Sequence, residues 1–282
     1  MFANVIEWYS NLVPIKALFT FVVALAVAAN AVSFALVRII WFVDGGPESP
    51  INEIRPVTDQ DGHRTLVIEI GGAMGVAKCF NVFREFYQDS WGVIYLDHGK
   101  NGYSLRAQLA QIDQYIEDHD ITDIRVVGIS VGDYYCRVLE DRYDNVQTLA
   151  VNPEPSHKFL RFWSKWASRG GGFVAEVVSI PFGWLSTIDL IPKTGERFSL
   201  AYTADQFMAL SFVNDAPHTY DKTVAVILGA GNLDQFLKNE VAEKYFKGAT
   251  IKYVNSDHGN TVDEADEYRK VLQEIFPSGV WE

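Results

Sequence analysis

The sequence predicts an α/β fold with a mainly parallel, doubly wound sheet, and three observations carry that expectation. Short runs rich in Val and Ile recur at Thr65–Ile70, Gly92–Leu96, Ile124–Gly128, Thr148–Asn152, Thr223–Leu228 and Ile251–Val254. Continuous apolar runs of this length suit strands covered on both faces. Helical patterns stand between them, and the alternation of strand and helix argues for parallel neighbours joined by crossovers. The third observation is that the residues capable of chemistry follow the strands, where open α/β sheets gather their functional groups.

Each element has a local reason. Asp61-Gly62 before the first run suggests a hairpin turn from a strand near Ile54 to Val57. Leu105, Leu109, Ile112 and Ile116 repeat at four, three and four residues, one face of a helix. Val262, Ala265, Tyr268, Val271, Leu272 and Ile275 do the same near the C-terminus. Asp133 to Arg142 can form a helix directly after the third of the central runs.

The stretch between Glu154 and Asp221 is too long for one crossover helix. It is rich in large apolar residues, among them Phe159, Trp163, Trp166, Phe173 and Trp184, and Gly170-Gly171-Gly172 offers a hinge. It reads as a helical cap inserted over the strand ends at about residues 155–220.

The N-terminus has a different character. Ala17 to Val37 carries no charge and is bracketed by Lys16 and Arg38. A helix of this length spans roughly 30 Å, the hydrocarbon thickness of a bilayer. Trp8, Tyr9, Trp41 and Phe42 flank it, where amphipathic aromatics favour the membrane interface. Residues 1–43 are therefore expected to hold a transmembrane helix over 17–37, making the chain a single-pass membrane protein. A cleaved signal ending near Ala29-Asn30-Ala31 is the alternative. Residues 44–53, with two glycines and two prolines, form a linker, and 54–282 the α/β domain. Without the membrane segment, ~230 residues remain, enough for one large domain.

Composition narrows the partners. A formal net charge of -12 argues against nucleic acid. The two cysteines, Cys79 and Cys136, have no metal-ligand spacing and read as small buried residues. No pair among His63, His157 and His218 has zinc-site spacing, so no metal is expected, and the serine chemistry described below needs no cofactor.

The chemistry centres on Gly128-Ile129-Ser130-Val131-Gly132, between a strand and a helix. A serine at such a turn, with glycine two residues away on each side, is a nucleophile elbow. A serine hydroxyl needs a base, and the base needs an orienting acid. His258 follows the last strand and is the candidate base; Asp234 follows the strand before it and is the candidate acid. Glu154, after the preceding strand, is the alternative acid. His98 also stands in an Asp-His-Gly sequence, but before the serine; Asp257 adjoins His258, too near in sequence to orient it.

The order Ser, Asp, His resembles that of the α/β-hydrolase superfamily. The likeness covers roughly Ile54 to Phe276, and five motifs bear it. Ile70-Gly71-Gly72-Ala73-Met74-Gly75 is similar to the superfamily's oxyanion loop, and Asp97 to Ser104 to its Asp-x-x-Gly-x-Gly-x-Ser loop. The elbow, the Gly231 to Asp234 acid turn and the Asp257-His258-Gly259 loop complete the set. The resemblance implies Ser130 as nucleophile, His258 as general base and acid, and Asp234 as its orienter. It implies an oxyanion hole made by the backbone N–H groups of Val131 and Ala73, with Gly72 as the alternative to Ala73. Among the departures from the pattern, Gly71 stands where many members have His, and Asp133 where a second glycine is frequent. The activity implied is hydrolysis of an acyl ester through an acyl-enzyme, with the anchor and aromatic cap pointing to a lipophilic small-molecule substrate. An acyltransferase and a non-catalytic lipid- or partner-binding member are the alternatives on the same fold.

Overall fold

The computed structural model describes residues 17–25, 28, 51–72, 77–96, 105–154, 187–188, 198–199, 221–231, 234, 237–258 and 261–282. The cap expected over 155–220, Ala73 and the loop holding His98 lie outside the described residues, save two short strands within the cap region. Residues 17–25 are helical. Among the described residues no helix is long and apolar enough to cross a membrane, and most of the span expected over 17–37 lies outside them.

Seven strands form the main sheet: β1 (Ile51–Arg55), β2 (Thr65–Ile70), β3 (Gly92–Leu96), β4 (Asp123–Ile129), β5 (Val146–Val151), β8 (Thr223–Gly229) and β9 (Ile251–Val254). Their order is β1-β3-β2-β4-β5-β8-β9, with every pairing parallel except β1 against β3. The remaining pair, β6 (Thr187–Ile188) and β7 (Phe198–Ser199), forms a separate antiparallel two-stranded sheet.

One expectation is corrected here. The turn at Asp61-Gly62 exists, with Asp61 at φ 56 and Gly62 at φ 82 and a single bridge from Gln60 to His63. It does not join β1 to β2 as a hairpin. β1 instead crosses to the outer edge of β3, pairing Ile51 with Leu96 and Glu53 with Ile94. Left-handed residues set a tight turn, but the partner of the preceding strand depends on the free edge that β3 presents.

The helices α1 (Asn81–Arg84), α2 (Leu105–Asp118), α3 (Asp133–Arg142), α4 (Asn239–Tyr245) and α5 (Ala265–Ile275) cover both faces. Alternate residues of a strand point to opposite sides, and the core divides accordingly. Leu66, Ile68 and Ile70 of β2 pack with Leu109, Ile112 and Ile116 of α2 and Cys136 and Leu139 of α3. Val67 lies on the other side, in the layer of Phe80, Phe83, Tyr268 and Leu272. Fully burying one such side chain contributes about 1.5–3 kcal/mol. The strands are thus held between two apolar layers, and their carboxyl ends are fixed as a group.

Candidate active site

The β4 chain leaves the sheet at Ile129 and turns at Ser130, whose φ of 55 lies in the left-handed region. A non-glycine residue there is strained, and such strain persists only where its surroundings enforce it. Two glycines make the turn possible. A Cβ on Gly128 would stand 2.5 Å from Cys136 Sγ and 2.9 Å from the Gly132 carbonyl carbon. A Cβ on Gly132 would stand 2.2 Å from the Ile70 carbonyl oxygen and 2.9 Å from that of Gly71. The first glycine lets α3 fold back on β4, and the second lets the turn lie against the end of β2.

Two loops bring their side chains to Ser130. Beyond β8, Asp234 is buried, and its Oδ1 accepts the Leu237 backbone N–H at 2.9 Å. Beyond β9, His258 is 15% exposed at its side chain. His258 Nδ1 lies 2.8 Å from Asp234 Oδ2, and its Nε2 lies 2.8 Å from Ser130 Oγ. With Nδ1–H donating to the carboxylate, Nε2 is left to accept the serine proton. Ser130, His258 and Asp234, from three separate strand ends, thus form one hydrogen-bonded chain.

Val131 is buried in the first turn after Ser130, within a short 3-10 helix over Ser130–Gly132. Gly72 is close by: a Cβ there would be 3.2 Å from Ser130 Cβ. Asp133, one of the departures, is wholly buried at the start of α3 and paired with Arg137 at 3.0 Å. Burial pushes its carboxyl up to about 6, against the opposing pull of Arg137. It faces this ion pair and is spent on anchoring α3.

Glu154 does not take the position of an acid behind His258. It lies beside the serine instead, with Oε2 3.3 Å from Ser130 Oγ and its backbone N–H donating to the Ser130 carbonyl at 2.9 Å. Its side chain is inaccessible to solvent, and burial holds the carboxyl well above the ordinary carboxylate range, against the downward pull of the Ser130 hydrogen bond and with the charge of Asp234 adding to the rise.

No sequence motif singles out Asn152, which proves central to the frame. It is buried at the end of β5 with φ 42. Its Oδ1 accepts the Gly229 N–H at 2.8 Å, while Nδ2 reaches the Asp257 carbonyl and Tyr268 Oη, each at 3.4 Å. One side chain therefore ties the ends of β5 and β8 to the histidine loop. The available signal is an Asn at a strand end before Pro153, since Asn tolerates the left-handed region. Among the described residues no group of three His, Cys, Asp or Glu side chains could hold a metal ion.

Comparison with protein-family models gives no match, and neither does comparison with curated proteins. Solved structures do match. An α/β hydrolase from a Medee basin deep-sea metagenome library has a TM-score of 0.59 at 14% identity, covering 81% of this chain and 94% of its own. An esterase from Exiguobacterium antarcticum has a TM-score of 0.56 at 16% identity, covering 83% and 97%. A point mutant of an epoxide hydrolase from Bacillus megaterium has a TM-score of 0.57 at 14% identity, covering 83% and 99%. At these identities the likeness speaks of architecture, and with the strand order and crossovers above it establishes that this chain has the α/β-hydrolase fold.

Proposed function

We propose that the chain is a serine hydrolase that cleaves an acyl ester. The observation that carries this reading is the pair of 2.8 Å contacts linking Ser130 Oγ to His258 and His258 to Asp234. His258 Nε2 takes the proton of Ser130 as Oγ attacks the acyl carbonyl. Asp234 holds the imidazole in the tautomer this requires and stabilises the imidazolium that forms. The backbone N–H groups of Val131 and Ala73 receive the oxyanion, each worth ~3 kcal/mol by the precedent of such donors. His258 then protonates the leaving alcohol. Water, giving its proton to His258, releases the acid from the acyl-enzyme.

A serine at position 130 favours this chemistry over that of enzymes in which an aspartate attacks. We also infer a membrane anchor over residues 17–37 and a lipophilic acyl substrate. Support comes from the helix at residues 17–25, whose Leu18, Phe19, Phe21 and Leu25 are 53–71% exposed and are not packed into the core of the described residues.

The test is covalent labelling of the purified chain with a fluorophosphonate, mapped by peptide mass spectrometry. Label is expected on Ser130 and should vanish in Ser130→Ala while thermal unfolding stays unchanged. A folded chain that takes no label, or takes it elsewhere, overturns the reading.

A further inference from the structure

The proton count around Ser130 is incomplete without Glu154. Ser130 Oγ carries one hydrogen and has, among the described residues, two close polar neighbours, His258 Nε2 at 2.8 Å and Glu154 Oε2 at 3.3 Å. If the hydrogen goes to His258, the Glu154 oxygen meets a bare lone pair. An ionised carboxylate cannot satisfy that contact, because it only accepts. A neutral carboxyl can, by donating its own O–H to Oγ.

The surroundings favour the neutral form. Glu154 is wholly buried, and its second oxygen, Oε1, has no hydrogen-bond partner among the described residues. A buried carboxylate with an idle oxygen and no cation beside it among the described residues is costly. The titratable groups on the described elements around it are Asp234 beyond β8 and His258 beyond β9, and the first is itself an acid. Asp133 on α3 is occupied by Arg137. The neighbourhood resembles two carboxyl groups whose environments divide their roles, one ionised behind the imidazole and one neutral beside the nucleophile.

We propose that Glu154 is a further catalytic residue of this site, a neutral carboxyl that donates a hydrogen bond to Ser130 Oγ throughout the cycle. The assignment of Ser130 as nucleophile on which this rests is the reading given above. The benefit falls on deacylation. Water adds its oxygen to the acyl carbonyl and passes a proton to His258. The C–Oγ bond then breaks, its electron pair moves to Oγ, and His258 returns the proton there. Glu154 keeps its own proton and stabilises the charge that gathers on the departing Oγ. Once ionised, the same group becomes an acceptor that competes with His258 for the serine hydrogen and sets a negative charge beside the attacked carbon.

Two measurements test this. The first is the pH dependence of fluorophosphonate labelling. In the wild-type chain the rate should fall about tenfold per pH unit above the ionisation of Glu154. In Glu154→Gln, whose amide donates at every pH, the alkaline fall should disappear. In Glu154→Leu deacylation should slow at neutral pH, so that acyl-enzyme accumulates and is seen as a burst with an ester substrate. An alkaline fall that persists in Glu154→Gln, or wild-type kinetics in Glu154→Leu, overturns the proposal. The second is infrared difference spectroscopy on the folded proteins at neutral pH, which does not depend on turnover. A protonated-carboxyl C=O band should be present in the wild type, absent in Glu154→Gln, and shifted in Ser130→Ala, where its partner is lost. Absence of the band, or its indifference to Ser130→Ala, overturns the proposal. A chain that takes no label yet shows the shifting band would instead sink the hydrolase reading and leave the Glu154 contact standing.

Discussion

Asp234 divides its two oxygens between fold and function. Oδ1 accepts the Leu237 N–H, and Oδ2 faces His258 Nδ1. Asp234→Asn tests both at once. The amide oxygen can still accept from Leu237, so the loop should keep its shape. The amide nitrogen then points at Nδ1 and forces the imidazole into the tautomer whose Nε2 carries hydrogen, which cannot accept the serine proton. Turnover of an ester substrate should fall on the order of 10⁴-fold with little change in melting temperature. A modest loss would show that another group orients His258. Glu154 is the informative comparison. By sequence alone it is the alternative acid, since it too follows a strand. The structure turns its carboxyl toward Ser130 Oγ, 3.3 Å away, and gives His258 Nδ1 to Asp234. Ser130, Asp234 and His258 are legible because each stands in a local motif at a strand end. The direction of the Glu154 side chain is not, because it depends on how the end of β5 sits against the elbow.

At the scale of elements, α3 carries the elbow and must be held still. Arg137, 1% exposed, does this through Asp133 at 3.0 Å, Glu140 at 2.6 Å, Thr223 Oγ1 at 2.8 Å and Thr148 Oγ1 at 3.2 Å. Thr148 lies on β5 and Thr223 on β8, the strands that lead to Glu154 and Asp234. The cluster thus joins the helix behind Ser130 to the two strands that deliver the acids. Removing this buried cation by Arg137→Met would leave Asp133 and Glu140 without their shared partner, and a loss of about 3–5 kcal/mol is expected. Urea unfolding at neutral pH measures it; a loss below about 1 kcal/mol would mean that the two carboxyls find water or protonate cheaply. The strands themselves are readable, because Val- and Ile-rich runs buried on both faces have a plain sequence signature. The partner of β1 is not. Turn chemistry at Asp61-Gly62 is local, whereas the edge of β3 that receives β1 lies far along the chain, Ile51 meeting Leu96.

The whole molecule combines a domain of net acidic character with an apolar N-terminal segment. The formal charge of -12 opposes attachment to anionic lipid by charge alone. Any membrane attachment must therefore come from apolar burial, and residues 17–37 supply the uncharged stretch for it. Among the described residues both apolar layers are built from positions at or beyond Ile51. Removing residues 1–43 should consequently leave a folded domain. When reconstituted from detergent into phosphatidylcholine vesicles, the full chain should float with the lipid at low and at high salt, since insertion of an apolar helix is insensitive to screening. The truncated chain should stay in the aqueous fraction and still take fluorophosphonate on Ser130 at an unchanged rate. Flotation lost in high salt would point to a peripheral electrostatic contact instead. A full chain that never floats would remove the anchor, and with it one of the two reasons for assigning a lipophilic substrate, leaving the hydrogen-bonded chain at Ser130 to be matched with soluble esters.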